Sequence, residues 1–390
     1  MYFGSLQLNR ISFCLIIGVW ILACDTDAER SSNDRSIIET SREKNSSGLA
    51  AEGASSAETK PLGTEPEALD AEEERMVSAD ANPAAGGVDP TDNSDNPDNS
   101  NDPEASGGTE GMNDDEPQGL EALSDEFDDS ASLADWSRIW EEESWPYDQL
   151  ETYDIGTTRS GALTMEPYTS SWYENYRGVL AFKEVSGDFI ATTRVLVTNR
   201  DGDGPPANNY SLAGMMIRGP RAITAATWES GGENYIFLSL GRGDNGSNPG
   251  GYETEVKTTV DSDSTLQIGE APSNDLILRG ARIGQYFFLL LREPDSSWQV
   301  HRRYQRSDLP LTLQVGMVSY TDWDRVSMAN PMTYNNWSAP PASGANPDVL
   351  AHFDYFRFSD VAPPATWDGL DLSDSAVVSD AALLAVLAAD

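Results

Sequence analysis

Three aromatic residues in one long polar segment are the strongest candidates for contact with a ligand. The segment 320–347, YTDWDRVSMANPMTYNNWSAPPASGANP, contains Trp323, Tyr334 and Trp337, with Asn336 beside them. The apolar face of a sugar ring stacks on an aromatic plane, and its hydroxyl groups need polar partners such as Asn. Connections of this length in compact domains tend to be functional or disordered. The segment therefore predicts a glycan site at these four residues, or else a set of aromatic rings that covers a sheet.

A second candidate site is the segment NRDGDG. It places side-chain oxygens at Asn199, Asp201 and Asp203 and ends at Gly204. This spacing matches the opening of a D-x-[DN]-x-[DN]-G calcium loop, in which alternate residues turn their oxygens toward the ion. The distal bidentate glutamate is missing, and two prolines follow instead. Asp and Gly also form ordinary β-turns, so the segment is either a turn or a site for Ca²⁺, the one cofactor that we expect if there is any.

The histidines offer little for zinc binding or for activation of a nucleophile. The chain has two, His301 in WQVHRRY and His352 in LAHFDYFRF. Both lie in predicted strands without a recognisable partner nearby in sequence, and we expect core or edge histidines. The tripeptide RGD at 242–244 lies in a Gly-rich acidic stretch that predicts a turn.

The first 24 residues predict an export signal. Arg10 precedes an apolar run of 13 residues, Ile11 to Ala23. This run is too short to span a hydrocarbon layer of about 30 Å but suits the central region of a signal peptide. The tetrapeptide ILAC, which ends at Cys24, resembles the lipobox of bacterial lipoproteins, and this resemblance implies lipidation of Cys24 and removal of residues 1–23. The alternative is a plain signal peptide. In either case Cys14 lies in the removed segment.

The next hundred residues predict a spacer. Between residues 25 and 130 there are 30 Asp and Glu against 6 Lys and Arg, a net charge of −24. Because so little apolar surface is available to offset backbone ordering, we expect residues 24–120 to be a disordered acidic linker. Such a linker reaches about 50 to 60 Å. The rest of the chain is also acidic and has no basic stripe, which excludes nucleic acid as a partner.

From residue 127 to residue 358, short apolar runs alternate with turn residues. The run GDFIATTRVLVT and the run LTLQVGMVSY alternate with the period of strands, and QYFFLLLR is apolar on both faces, which predicts a central strand. The expected core-facing residues are Phe189, Ala191, Val195 and Val197 in the first run, and Leu311, Leu313, Val315 and Met317 in the second. With seven similar runs, about ten strands are expected. The fold class is therefore all-β, a two-sheet antiparallel jelly-roll sandwich over residues 121–360.

The order of five segments carries a resemblance. GDFIATTRVLV, LAGMMIR, IGQYFFLLLREPDSSWQVHRR, LPLTLQVGMVS and HFDYFRF follow one another as in the concanavalin A-like lectin and glucanase superfamily. The similarity is greatest to bacterial laminin G-like jelly rolls, such as those at the C-terminus of β-xylosidases, and covers residues 125–358. It implies a curved sandwich whose concave face is often used for glycans, and a rim that often binds calcium. Because the motifs read as core strands, they specify the fold more than the ligand.

A hydrolase of this superfamily would need two carboxylates about 5 to 10 Å apart. Laminarinase-like members resemble E-x-D-x-x-E, and the nearest match here is Glu253, Glu255 and Lys257 in YETEVK. A lysine occupies the position at which this pattern requires an acid, so we expect that the protein is not an enzyme. A solvated strand face accounts for the pattern.

The tail 361–390 predicts a short helix, AALLAVLAA, capped by Ser379 or Asp380 and docked on the domain. The whole sequence predicts a lipoprotein of the cell envelope, at the outer membrane or cell surface rather than the inner membrane. Its domain is expected to bind a glycan or another envelope or matrix component without catalysis. The alternatives are a structural or protein-interaction module and, third, a glycoside hydrolase.

Overall fold

The computed structural model describes residues 119–244 and 250–389. The predicted signal peptide, Cys24 and nearly all of the predicted linker lie outside the described residues.

The described residues form fourteen strands, four short α-helices and three 3₁₀-helices. The strands are β1 (Ser137–Arg138), β2 (Leu150–Ile155), β3 (Leu163–Pro167), β4 (Val179–Ser186), β5 (Phe189–Thr198), β6 (Ser211–Arg218), β7 (Tyr235–Arg242), β8 (Glu253–Val260), β9 (Asp263–Glu270), β10 (Asp275–Ile283), β11 (Tyr286–Arg292), β12 (Gln299–Gln305), β13 (Thr312–Tyr320) and β14 (Leu350–Ser359). The α-helices are α1 (Ile139–Glu142), α2 (Trp323–Val326), α3 (Pro331–Asn335) and α4 (Asp380–Leu387). The 3₁₀-helices are Leu120–Leu123, Ser130–Asp135 and Ala365–Trp367.

The strands form two sheets of seven. Sheet 1 has the order β1-β4-β13-β6-β7-β8-β9, and sheet 2 has the order β12-β11-β10-β5-β14-β3-β2. Every pair of neighbours is antiparallel. The predicted all-β, two-sheet antiparallel sandwich is confirmed. The sequence missed β1, β2, β3 and β9, because these strands are short or mostly polar and lack a clear alternation of apolar residues.

The main core lies between the two sheets and is built from alternate residues of each strand. All four predicted residues of β5 belong to it, and so do Leu313, Val315 and Met317 of β13. The prediction for Leu311 was wrong. This residue precedes β13, its carbonyl accepts a hydrogen bond from the N–H of Gly187 at 3.1 Å, and its side chain is 66% exposed.

The outer face of sheet 2 is covered by the C-terminal tail. Phe288 and Leu290 of β11 point away from the main core and pack in one cluster with Leu383 and Leu387 of α4. This cluster explains why β11 is apolar on both faces. The N-cap of α4 is Ser379, whose side chain accepts a hydrogen bond from a backbone N–H of the first turn at 3.2 Å. In the structure this helix runs from Asp380 to Leu387 with Ser379 as its N-cap, and it packs on sheet 2.

The outer face of sheet 1 is covered by the segments 139–145 and 170–178. Trp172 packs there, fully buried, on side chains of β4, β6, β7 and β13. Buried Arg218 of β6 pairs with Glu143 of the first segment at 2.7 Å and with Glu233 at 2.9 Å. These contacts hold the two covering segments on sheet 1, and the candidate site is built on them. In the part of the chain that the structure describes, no helix is long and apolar enough to cross a membrane.

Candidate functional site

The connection between β13 and β14, residues 321–349, is closed at its neck by hydrogen bonds. We name it the aromatic loop. Asp322, near its start, accepts a hydrogen bond from the N–H of Asn346, near its end, at 2.9 Å. The hydroxyl of Thr321 accepts one from the N–H of Asp348 at 3.0 Å. The loop therefore leaves the sandwich and returns at one point, and it contains the short helices α2 and α3.

Tyr334 has a different position from the one predicted for a ligand-contacting residue. Its ring is fully buried, and its hydroxyl accepts hydrogen bonds from the N–H of Ser171 at 2.8 Å and from Nε2 of Gln149 at 3.1 Å. Burial raises the pKa of Tyr334 to about 12. The ring is not available for stacking on a ligand, and the residue instead fastens the aromatic loop to the domain.

The adjacent asparagines have opposite positions. Asn335, which is not among the four residues predicted to contact a ligand, is buried. Its side-chain oxygen accepts from the N–H of Arg177 at 2.9 Å, and its amide nitrogen donates to the carbonyl of Asn175 at 2.8 Å. The predicted residue Asn336 is exposed, and its amide nitrogen donates a hydrogen bond to the carbonyl of Met332 at 2.9 Å. Asn335 is therefore an anchor, and Asn336 lies at the surface.

The two tryptophans of the loop are half-buried and held by their ring edges. Trp323 contacts Tyr173 and Tyr176, with ring centroids 5.2 and 5.4 Å apart. Trp337 contacts Tyr334 with centroids 5.0 Å apart, and Tyr176 lies 5.5 Å from Tyr334. These five rings form one aromatic cluster, which joins the predicted loop to the segment WYENY. The sequence left open whether WYENY is an aromatic patch or the edge of a core, and it is both, since Trp172 is buried in the core.

An exposed apolar rim borders this cluster. Met328 is 75% exposed and Met332 is 60% exposed. The guanidinium of Arg325 lies 6.0 Å from the ring of Trp337 and 3.7 Å from the sulfur of Met328. The sequence did not predict this rim, because isolated methionines in a polar segment show no hydrophobic periodicity. The whole surface offers partly exposed indole rings, two thioethers, a cation and the amide of Asn336.

The predicted solvated face of YETEVK was wrong. Glu253, Glu255 and Lys257 share the outer face of β8 and are 2%, 0% and 3% exposed. The ammonium of Lys257 lies 3.0 Å from Glu255 and donates to the carbonyl of Trp172 at 2.7 Å. Rings of Tyr173, Phe237 and Tyr320 surround it within 5.4 Å. The covering segment 170–178 is the reason, because it removes this strand face from water.

The electrostatics of the pair follow from burial. Burial lowers the pKa of Lys257, and the negative charge of Glu255 opposes that shift. A carboxylate committed to an ammonium in this way is a poor general acid or base.

In the NRDGDG segment, Asn199 and Asp203 form hydrogen bonds with each other. Nδ2 of Asn199 donates to Asp203 at 2.8 Å, and the Asn199 side-chain oxygen accepts from the N–H of Asp203 at 3.1 Å. Asp201 is exposed, and Gly202 has a φ of +77°, which suits a tight turn. Within residues 119–244 and 250–389, no group of three or more His, Cys, Asp or Glu residues is arranged to hold a metal ion. Binding of Ca²⁺ here stays a prediction.

Both histidines lie in strands, as predicted. His352 of β14 is buried with Nδ1 3.0 Å from the hydroxyl of Thr164, and burial lowers its pKa to about 4. His301 of β12 is half-buried, and burial lowers its pKa to about 4 as well. In the RGD segment, Asp244 accepts a hydrogen bond from the Asn209 amide at 2.8 Å.

Comparisons with known proteins find likeness only at the level of structures. No protein-family model matches the chain, and no curated protein matches it. A functionally unknown protein from Saccharomyces cerevisiae is 12% identical, with a TM-score of 0.39 over 59% of this chain and 98% of that one. The GH43 protein BlXynB from Bacillus licheniformis is 16% identical, with a TM-score of 0.40 over 62% of this chain and 39% of that one. The carbohydrate-binding module CBM66 from Bacillus subtilis is 11% identical, with a TM-score of 0.29 over 51% and 86%. Likeness this remote carries no argument about function.

Proposed function

We propose that the protein is a noncatalytic carbohydrate-binding module that is displayed on the cell envelope through a lipid anchor at Cys24. One observation carries the binding proposal. Trp323 and Trp337 are half-exposed on a loop whose base is fixed by the buried hydrogen bonds of Tyr334 and Asn335. The rings are therefore held in position before a ligand arrives.

Such preorganisation favours binding of a sugar. A ring that is already ordered loses little conformational entropy on association, so more of the stacking energy appears as affinity. Asn336 and Asp324, both exposed beside the tryptophans, supply the polar groups that sugar hydroxyls need. The proposed ligand site therefore consists of Trp323, Asn336 and Trp337, with Tyr334 beneath them.

The proposal does not include catalysis. The acids that come nearest to a glycosidase pattern are Glu253 and Glu255, and Glu255 is paired with Lys257 under a covering segment. This arrangement supports a binding role over glycoside hydrolysis.

A second candidate function is docking of a protein partner. It is favoured by Met328 and Met332, whose exposed thioethers adapt to varied apolar surfaces. Protein docking would depend on the methionines, whereas glycan binding would depend on the indole ring of Trp337.

The anchor proposal rests on the sequence alone. The apolar run before Cys24 and the small residue Ala23 support lipidation of that cysteine. Two or three acyl chains at about 0.8 kcal/mol per buried methylene would hold the protein on a membrane. The acidic stretch between Cys24 and residue 119 is long enough to lift the domain away from the lipid headgroups.

The test is a glycan array probed with the full-length protein, once with millimolar calcium and once with chelator. We expect saturable binding to a defined glycan. Loss of binding with chelator would assign Ca²⁺ to the NRDGDG segment. A blank array in both conditions, from protein shown to be folded, would contradict glycan binding and favour the protein-docking candidate.

A further inference from the structure

Arg177 differs from the other buried arginines of the described residues. It is 3% exposed, yet its guanidinium donates no hydrogen bond to protein and forms no ion pair within residues 119–244 and 250–389. The five other buried arginines all donate from their side chains to carboxylates, hydroxyls or carbonyls. They are Arg138, Arg218, Arg279, Arg282 and Arg306. A buried cation ordinarily needs a partner of this kind.

The carboxylate that acts most directly on Arg177 is already committed. Glu143 raises the pKa of Arg177, but one of its oxygens accepts from Arg218 at 2.7 Å and the other from Nε1 of Trp145 at 2.8 Å. Burial lowers the pKa of Arg177 more than Glu143 raises it, so the pKa falls to about 10. The guanidinium therefore stays charged at neutral pH without a carboxylate of its own.

Two phenol groups lie in the same region and can donate. The hydroxyl of Tyr147 is buried and has no hydrogen-bond partner among the described residues. The hydroxyl of Tyr334 accepts hydrogen bonds from the N–H of Ser171 and from Gln149, interacts with the Ser170 side chain, and carries one O–H of its own. Burial raises the pKa of both phenols, so both keep their protons.

Both phenols act electrostatically on the pKa of Arg177, and Arg177 contacts residues close to each of them in the chain. The guanidinium of Arg177 lies 4.8 Å from the ring of Trp145, two residues before Tyr147. Its backbone N–H is bound to Asn335, the residue after Tyr334. Three chain segments therefore meet near this guanidinium, and among the described residues none of them supplies a carboxylate that is not already bonded elsewhere.

We propose that Arg177, with the hydroxyls of Tyr147 and Tyr334, forms a binding site for a single carboxylate group. A carboxylate matches the planar fork of a guanidinium with two parallel hydrogen bonds. One cation near Glu143 suits a monoanion better than a doubly charged phosphate. The carboxylate can come from a small free acid or from an acidic sugar, and the site does not depend on the proposed glycan binding at the tryptophans.

The experiment follows the thermal midpoint of the full-length protein with increasing sodium acetate, and separately with sodium glucuronate, at constant ionic strength. The proteins compared are the wild type, Arg177→Met and the matched control Arg159→Met, which removes a partly exposed arginine charge in the turn between β2 and β3. We expect a midpoint that rises and levels off for the wild type and for Arg159→Met, and no such rise for Arg177→Met. General effects of the salts act on all three proteins, so the difference reports the site.

The outcomes separate the sources of the carboxylate. A response to both acids, or to acetate alone, assigns a small carboxylate, and a response to glucuronate alone assigns a carboxylate carried on a sugar. The same response in wild type and Arg177→Met, or none in the wild type, would overturn the proposal. If Arg177→Met does not fold, Tyr147→Phe replaces it. That variant should weaken acetate binding about tenfold, a difference of about 1.4 kcal/mol, and unchanged affinity would overturn the proposal equally.

Discussion

The half-exposed ring of Trp337 stands edge-on against the buried ring of Tyr334, with centroids 5.0 Å apart and planes at 71°. The orientation of the surface ring is thus set by a ring that is hydrogen-bonded to two other segments of the domain. The position of the surface ring and the stability of the loop are therefore coupled through Tyr334.

Replacement of Tyr334 by Phe tests that coupling. The variant keeps the ring but leaves the N–H of Ser171, itself 2% exposed, without its acceptor. We expect the free energy of unfolding in urea to fall by about 1 to 3 kcal/mol. The control is Tyr286→Phe, which should change it by about 0.5 kcal/mol or less. Equal values for the two variants would show that the Tyr334 hydroxyl does not anchor the loop.

The pair of Lys257 and Glu255 predicts a non-additive response. Lys257→Met leaves the carboxylate of Glu255 buried without its cation, and it should lower the free energy of unfolding by about 3 to 5 kcal/mol. The double variant with Glu255→Gln should recover much of that loss. The measurement is a double-mutant cycle in urea, and strict additivity would contradict a buried ion pair.

His352 predicts a loss of stability in mild acid. Burial lowers its pKa to about 4 in the folded protein, whereas the ordinary value is 6.5. The unfolded chain therefore takes up a proton at higher pH, and the stability contributed by neutral His352 is present above pH 6.5 and lost as the pH falls toward 4.

Urea midpoints measured across this window should fall more steeply for the wild type than for His352→Asn. The comparison cancels the carboxylates, which titrate in both proteins. Parallel curves would mean that His352 does not titrate as its burial requires.

The anchor at Cys24 is tested by location. Cys24→Ser removes the thiol that would carry the lipid, and we expect the protein to move from the membrane fraction to the soluble fraction of the producing bacterium. Incorporation of labelled palmitate should disappear with the same substitution. An unlabelled wild type that is nevertheless exported would support the plain signal peptide instead.

The fold could be predicted because its strands alternate. Phe189, Ala191, Val195 and Val197 all reach the main core, as the period of two requires. Leu311 did not, because the position at which a strand begins is set by its turn and not by hydrophobicity. The polar strand β9 carried no alternation from which it could be recognised.

The candidate site was predicted only in part, because burial of an outer sheet face depends on distant segments. Nothing within YETEVK indicates that Trp172 and Tyr173 cover Glu255 and Lys257. In the same way, the position of Tyr334 beneath the loop depends on Ser171 and Gln149, which are far away in sequence.

The most direct test of the central claim is the affinity of the wild type, Trp337→Ala and Met332→Ala for the glycan that the array selects, measured by titration calorimetry. Loss of the stacking ring should weaken binding about tenfold, or about 1.4 kcal/mol, in a domain that is still folded. Met332→Ala should bind nearly as the wild type does. Equal affinity of Trp337→Ala and wild type would contradict a glycan site at the aromatic loop.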